Sequence, residues 1–124
     1  MQSTDRNPPQ TTEKNSLKIW QQNVNASLIA QQDLLKILGK EEYDICVIQE
    51  PYLDMMHRTR ANPYWIVVYP TTHMTEPKKT RTVILVNKKL ATDKWEELEV
   101  DSGDATAIRI KTDAYAIDLY NIYN

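Results

Sequence analysis

The sequence predicts an α/β chain, a mixed sheet made of one βαβ unit followed by an antiparallel meander. Three observations carry that prediction. A strand pattern, a helical pattern and a buried-strand pattern follow one another over residues 17–49. Five more strand-like segments then run to the last residue with no helical periodicity between them. Residues 1–15 hold a single apolar residue, Met1, so the core begins near Leu17.

The elements follow in chain order. Residues 1–15, with Pro8-Pro9 and many Gln, Thr and Asn, read as a disordered polar tail. Residues 17–24 alternate as a strand with Leu17, Ile19, Gln21 and Asn23 on one face. Asn25 or Ser27 can cap the helix that follows, which carries Leu28, Leu34, Leu35 and Leu38 on one face and Gly39 as its expected C′ residue. Residues 43–49, YDICVIQ, form a short apolar run typical of a strand buried on both faces, and Pro51 stops it. Strand, helix and buried strand make a βαβ unit, whose two strands should be parallel with a right-handed crossover.

Segments 65–69, 82–86, 95–100, 106–111 and 115–123 are the later strands. Asp101-Ser102-Gly103-Asp104 and Thr112-Asp113 mark short turns, and residues 70–81 form a longer polar loop. With no crossover helices available, these strands should zigzag in the same sheet.

Composition limits the function classes. The chain has 124 residues, net charge −2 and mean hydropathy −0.58, which fits one domain. No apolar run reaches the roughly 18 residues of a membrane span, and no basic-then-apolar start marks a secretory leader. A single cysteine, Cys46, excludes a disulfide scaffold and points to a reducing, intracellular compartment. Two glycines leave no Gly-rich phosphate loop, and the mild acidity argues against a surface built wholly for nucleic acid.

One constellation stands out. Asn23 closes the first strand of the βαβ unit and Glu50 closes the second. Carboxyl ends of parallel strands share one edge, where open α/β sheets bind ligands. An amide and a carboxylate are therefore expected to be neighbours there. A partly desolvated Glu50 either pairs with an arginine or a local turn, or holds a hard cation such as Mg2+.

The segments IWQQNVN (19–25), CVIQEPYLD (46–54), KTRTVILVN (79–87) and LYNIYN (119–124) together resemble the endonuclease/exonuclease/phosphatase, or DNase I-like, superfamily. The likeness is greatest to the apurinic-like endonuclease domain of non-LTR, LINE-type retrotransposons. That family pattern has a strand ending in Asn-x-Asn, another ending in Gln-Glu, a central apolar strand and a later strand ending in Asn-x-Tyr. The order agrees over residues 17–124. The resemblance implies half of a four-layer α/β sandwich and Mg2+- or Mn2+-dependent phosphodiester hydrolysis. It implies Glu50 as metal ligand, Asn23 as the residue holding that glutamate near the scissile phosphate, and Tyr123 as a phosphate contact, with Asn25 beside them. It further implies DNA as substrate of the complete protein, a reverse transcriptase fused to or following it, and nuclear action.

The departures matter equally. The family's later Asp-x-Asn and Ser-Asp-His motifs have no counterpart. Asp101-Ser102-Gly103-Asp104 sits in an expected turn, Asp118 fits neither motif, and His57 and His73 come far too early. The expectation is thus an N-terminal half of such a domain (residues 17–124) that does not hydrolyse alone, with an uncovered inner sheet face and a tendency to self-associate. The alternatives are a non-catalytic remnant, a nucleic-acid- or protein-binding module, another phosphoesterase of this fold, or an unrelated α+β domain with a structural Glu50.

The remaining residues have plainer expectations. The basic stretches at 57–60 and 78–81 are either DNA-backbone contacts or solvated loops. Trp20, Trp65 and Trp95 should pack in the core, Cys46 should be an inert buried thiol, His57 and His73 should lie at the surface, and Met55-Met56 should be loop or filler.

Overall fold

The computed structural model describes residues 16–40 and 42–124. The expected tail at 1–15 lies outside the described residues. The strands are β1 (Ile19–Asn23), β2 (Ile45–Gln49), β3 (Trp65–Val68), β4 (Thr82–Asn87), β5 (Trp95–Leu98), β6 (Ala105–Lys111) and β7 (Ala116–Ile122), with one α-helix, α1 (Leu28–Lys40). The chain is mixed α/β, as the sequence predicts.

The βαβ unit forms as expected. β1 and β2 are parallel, with Ile19 opposite Ile45 and Asn23 opposite Gln49. The Ser27 hydroxyl caps α1 by accepting the Ala30 N–H at 3.1 Å. Asn25 does not cap it; Asn25 and Ala26 instead make a left-handed turn at φ 52° and 58°. Gly39 is not C′ either. The helix runs through it to Lys40, and Gly39 has no positive φ.

The expected single sheet is two. One has the order β1-β2-β4-β3, and the other is the meander β5-β6-β7. β4 enters between β2 and β3, antiparallel to both, because only a strand apolar on both faces fits the middle of a covered sheet. Its sequence TVILVN provides that, and all of Thr82–Val86 is buried.

The alternation of β2 and β4 sorts the core into two layers. Cys46, Ile48, Val83 and Leu85 face α1 and meet Leu34 and Leu38. Ile45, Val47, Ile84 and Val86 face the second sheet and meet Ile108 and Ile110 of β6. Burying each such side chain stabilises by about 1.5–3 kcal/mol relative to leaving it exposed. The inner face expected to be bare is therefore covered, by the strands of the second sheet. The Thr82 and Thr106 hydroxyls, 2.7 Å apart, add a polar tie between the sheets.

Two 3-10 turns, Thr71–Met74 and Pro77–Lys79, shape the segment expected to be a plain loop. Gln31, fully buried on α1, pins residues 52–60. Its amide nitrogen donates to the Thr59 hydroxyl and the Arg60 carbonyl, each at 2.7 Å, and its oxygen accepts the Tyr52 N–H at 2.8 Å.

Candidate active site

Parallel pairing brings the carboxyl ends of β1 and β2 to one edge, and the expected pair meets there. The Asn23 amide nitrogen lies 3.5 Å from Glu50 Oε2, a long hydrogen bond, and Asn23 Oδ1 accepts the Asn25 N–H at 2.9 Å. Asn25 thus supports Asn23 through its backbone.

Glu50 has φ 49°, in the left-handed region that residues with a Cβ avoid. The conformation is held from both sides. Its N–H donates to the Arg81 carbonyl and its carbonyl accepts the Ala26 N–H, each at 2.8 Å. Backbone strain fixed by surrounding hydrogen bonds is a mark of functional sites. Pro51 follows with no N–H, so the ladder ends and the side chain is turned out at the edge.

Tyr123 arrives from the second sheet. Its N–H donates to the Asp104 carbonyl at 2.8 Å. Hydrogen bonding to Glu50, then the charge of that carboxylate, pushes the phenol above its ordinary range, and Arg81 acts in the opposite sense. The phenol therefore stays a proton donor at neutral pH. The Arg81 guanidinium lies 5.6 Å from the centre of its ring. Asn23, Glu50 and Tyr123 are thereby brought together from three strand ends.

Beneath them runs an amide relay that sequence reasoning missed. Gln21 of β1 donates to Gln49 of β2, and Gln49 donates to Oδ1 of Asn121 on β7. Asn121, nearly fully buried, gives its own protons to the carbonyls of Ile48 (2.9 Å) and Val83 (2.8 Å). A signal was present: Asn121 takes an inward position between Leu119 and Tyr123, and a polar residue in an inward register is informative. These amides floor a cleft of about 500 Å³ between β1 and β7, walled also by Asn23 and Tyr123.

Other residues fall elsewhere. Cys46 is buried, and burial pushes its thiol up to about 12, so it is inert as expected. Trp65 is buried, and Trp20 and Trp95 are packed at the core margins. Met55 and Met56, 96% and 79% exposed, are loop residues. His73 is not simply at the surface. It stacks on Tyr69 with ring centres 4.2 Å apart, its Nδ1 lies 2.7 Å from the Thr80 hydroxyl, and burial lowers its pKa.

Among the described residues no group of three or more His, Cys, Asp or Glu gathers as a metal cage. Glu50 offers one carboxylate at the sheet edge, with the Asn23 amide nitrogen at its Oε2 and the cleft walled by Asn23 and Tyr123 beside it. That donor set suits Mg2+ or Mn2+, which keep waters and take one or two carboxylates together with phosphate oxygens, and does not suit zinc. No helix among the described residues is long and apolar enough to cross a membrane.

No family model and no curated protein matches the chain. Among solved structures it is similar to the endonuclease domain of TRAS1, a telomere-specific non-LTR retrotransposon, with TM-score 0.63 and 19% identity. The match covers 88% of this chain and 45% of that one, so the chain spans less than half the length of its structural neighbour. At that identity the likeness speaks for the fold: over most of its length, this chain has part of the DNase I-like architecture of a retrotransposon endonuclease domain.

Proposed function

We propose that this chain is the N-terminal part of a Mg2+- or Mn2+-dependent endonuclease that hydrolyses a DNA phosphodiester, of retrotransposon type. The observation that carries the reading is the convergence of Asn23, Glu50 and Tyr123 at one sheet edge, on strands drawn from both sheets. The shared fold with a retrotransposon endonuclease domain supports it.

The roles follow from the chemistry of each group. Glu50 would hold the cation, which would supply charge neutralisation at the phosphoryl oxygens. Asn23 orients that carboxylate with its amide N–H. Tyr123, at the same sheet edge, donates its phenol O–H toward a phosphate oxygen as negative charge grows there. No residue of this chain matches the family's water-orienting aspartate or its late histidine, so hydrolysis is assigned to a longer protein that contains this chain. There DNA is the substrate and a reverse transcriptase the neighbouring domain.

The test has two readouts. Mn2+ added to this chain should broaden the amide resonances of Asn23, Glu50 and Tyr123, and Glu50→Gln should remove the broadening. A longer protein carrying the missing motifs should nick supercoiled plasmid with Mg2+, and Glu50→Gln should slow it on the order of 100-fold or more. Unchanged broadening and unchanged nicking in Glu50→Gln would sink the assignment.

A further inference from the structure

We propose that Arg81 is a phosphate-binding residue of this site, gripping a non-bridging oxygen of the phosphodiester that lies beside Glu50 and Tyr123. The inference rests on the reading above and adds a cationic group to it. Of the basic residues in the stretch 78–81, the structure singles out this one. Lys79 is engaged elsewhere, pairing with Glu76 at 3.0 Å. Arg81 belongs to none of the ion pairs among the described residues, and its side chain is exposed.

Its position is built, not incidental. The Arg81 carbonyl accepts the Glu50 N–H at 2.8 Å, so the two residues sit opposite each other where β2 ends and β4 begins. The Arg81 N–H donates to the Gly103 carbonyl at 3.0 Å, and the next residue, Asp104, accepts the Tyr123 N–H at 2.8 Å. One turn, residues 101–104, therefore holds Arg81 and Tyr123 side by side. The approach is so close that only glycine fits: a Cβ on Gly103 would lie 2.3 Å from the Lys79 carbonyl oxygen. The guanidinium is then steadied over the Tyr123 ring at 5.6 Å.

The charge balance calls for such a group. Amides, a phenol and one carboxylate make the rest of the site, and an incoming phosphodiester adds negative charge next to Glu50. A planar guanidinium with paired N–H donors matches the geometry of phosphate oxygens, and one already held in place loses little freedom on binding.

The test is binding of a short fluorescein-labelled DNA duplex to this 124-residue chain by anisotropy, in EDTA at low salt. No metal is needed, so the result is independent of the Mg2+ assignment. Arg81→Gln should weaken binding on the order of tenfold and lower the salt-dependence slope by about one. Lys79→Gln should change affinity by less than about threefold. Glu50→Gln should tighten binding by removing a like charge beside the phosphate, and Arg81→Gln should weaken it again in that background. The proposal is overturned if Arg81→Gln binds as the parent does, if Lys79→Gln loses as much, or if the Glu50→Gln chain binds no DNA. Arg81 is exposed, so an unchanged amide spectrum away from the site checks that its variant folds.

Discussion

The two sheets contribute unequally to the site. The four-stranded sheet is covered on both faces, and its central strands β2 and β4 are buried almost without interruption. Among the described residues, the three-stranded sheet is covered on one face only, and its edge strand β7 leaves Ile117, Tyr120 and Ile122 exposed. Glu50 thus extends from a strand with a neighbour on each side, whereas Tyr123 extends from one with a single neighbour. The Glu50 half of the site is fixed by the packed strands that carry it. The phenol half is fixed by polar ties, chiefly Asn121 and the Asp104 carbonyl.

Truncations in the two sheets should break that asymmetry or bear it out. Leu85→Ala, at a fully buried position of β4, should cost about 2–5 kcal/mol, whereas Ile117→Ala, 40% exposed on β7, should cost less than about 1 kcal/mol. Urea unfolding measures both, and equal losses would mean that the sheets share one core evenly. A smaller effect is expected at the tie itself. Asn121→Ala removes its side-chain bonds to the Ile48 and Val83 carbonyls, leaves the Gln49 amide without its acceptor, and should cost about 1–3 kcal/mol. It should also speed hydrogen exchange at the Tyr123 amide more than at Ile48. Equal acceleration at both amides would show that Asn121 supports the whole core and not the β7 side in particular.

The smallest effect belongs to the strap at residues 70–81. Burial lowers the His73 pKa from 6.5, so the unfolded chain binds the proton more readily. Stability therefore rises with pH through that window and is lost as pH falls through the folded-state value. The urea midpoint should drop slightly between pH 7.5 and 5.5, and His73→Gln should flatten part of the drop. A steeper dependence in His73→Gln would reverse the sign of this argument.

The βαβ unit and the Asn23–Glu50 pairing were legible because both depend on local periodicity and on the rule that parallel strands share a carboxyl edge. Tyr123 was legible only through resemblance, since nothing local says which sheet edge its strand approaches. The division into two sheets was hidden for the same reason. Strand pairing is non-local, and an apolar alternation such as that of β6 fits one layer as well as another. Asn121 and Gln31 read as ordinary polar residues because their partners, backbone and side chain alike, are distant in sequence. Arg81 was visible only as one of a run of charges, and its carbonyl contact with Glu50 depends on β4 lying next to β2.

The left-handed backbone at Glu50 sets stability against chemistry at a single position. A residue with a Cβ there costs about 1–2 kcal/mol that glycine would not. On the function proposed above, a copy of this chain released from that role would gain by exchanging the glutamate for glycine, since the fold tightens as the site disappears. Glu50 is thus a residue that folding disfavours, and only use would keep it.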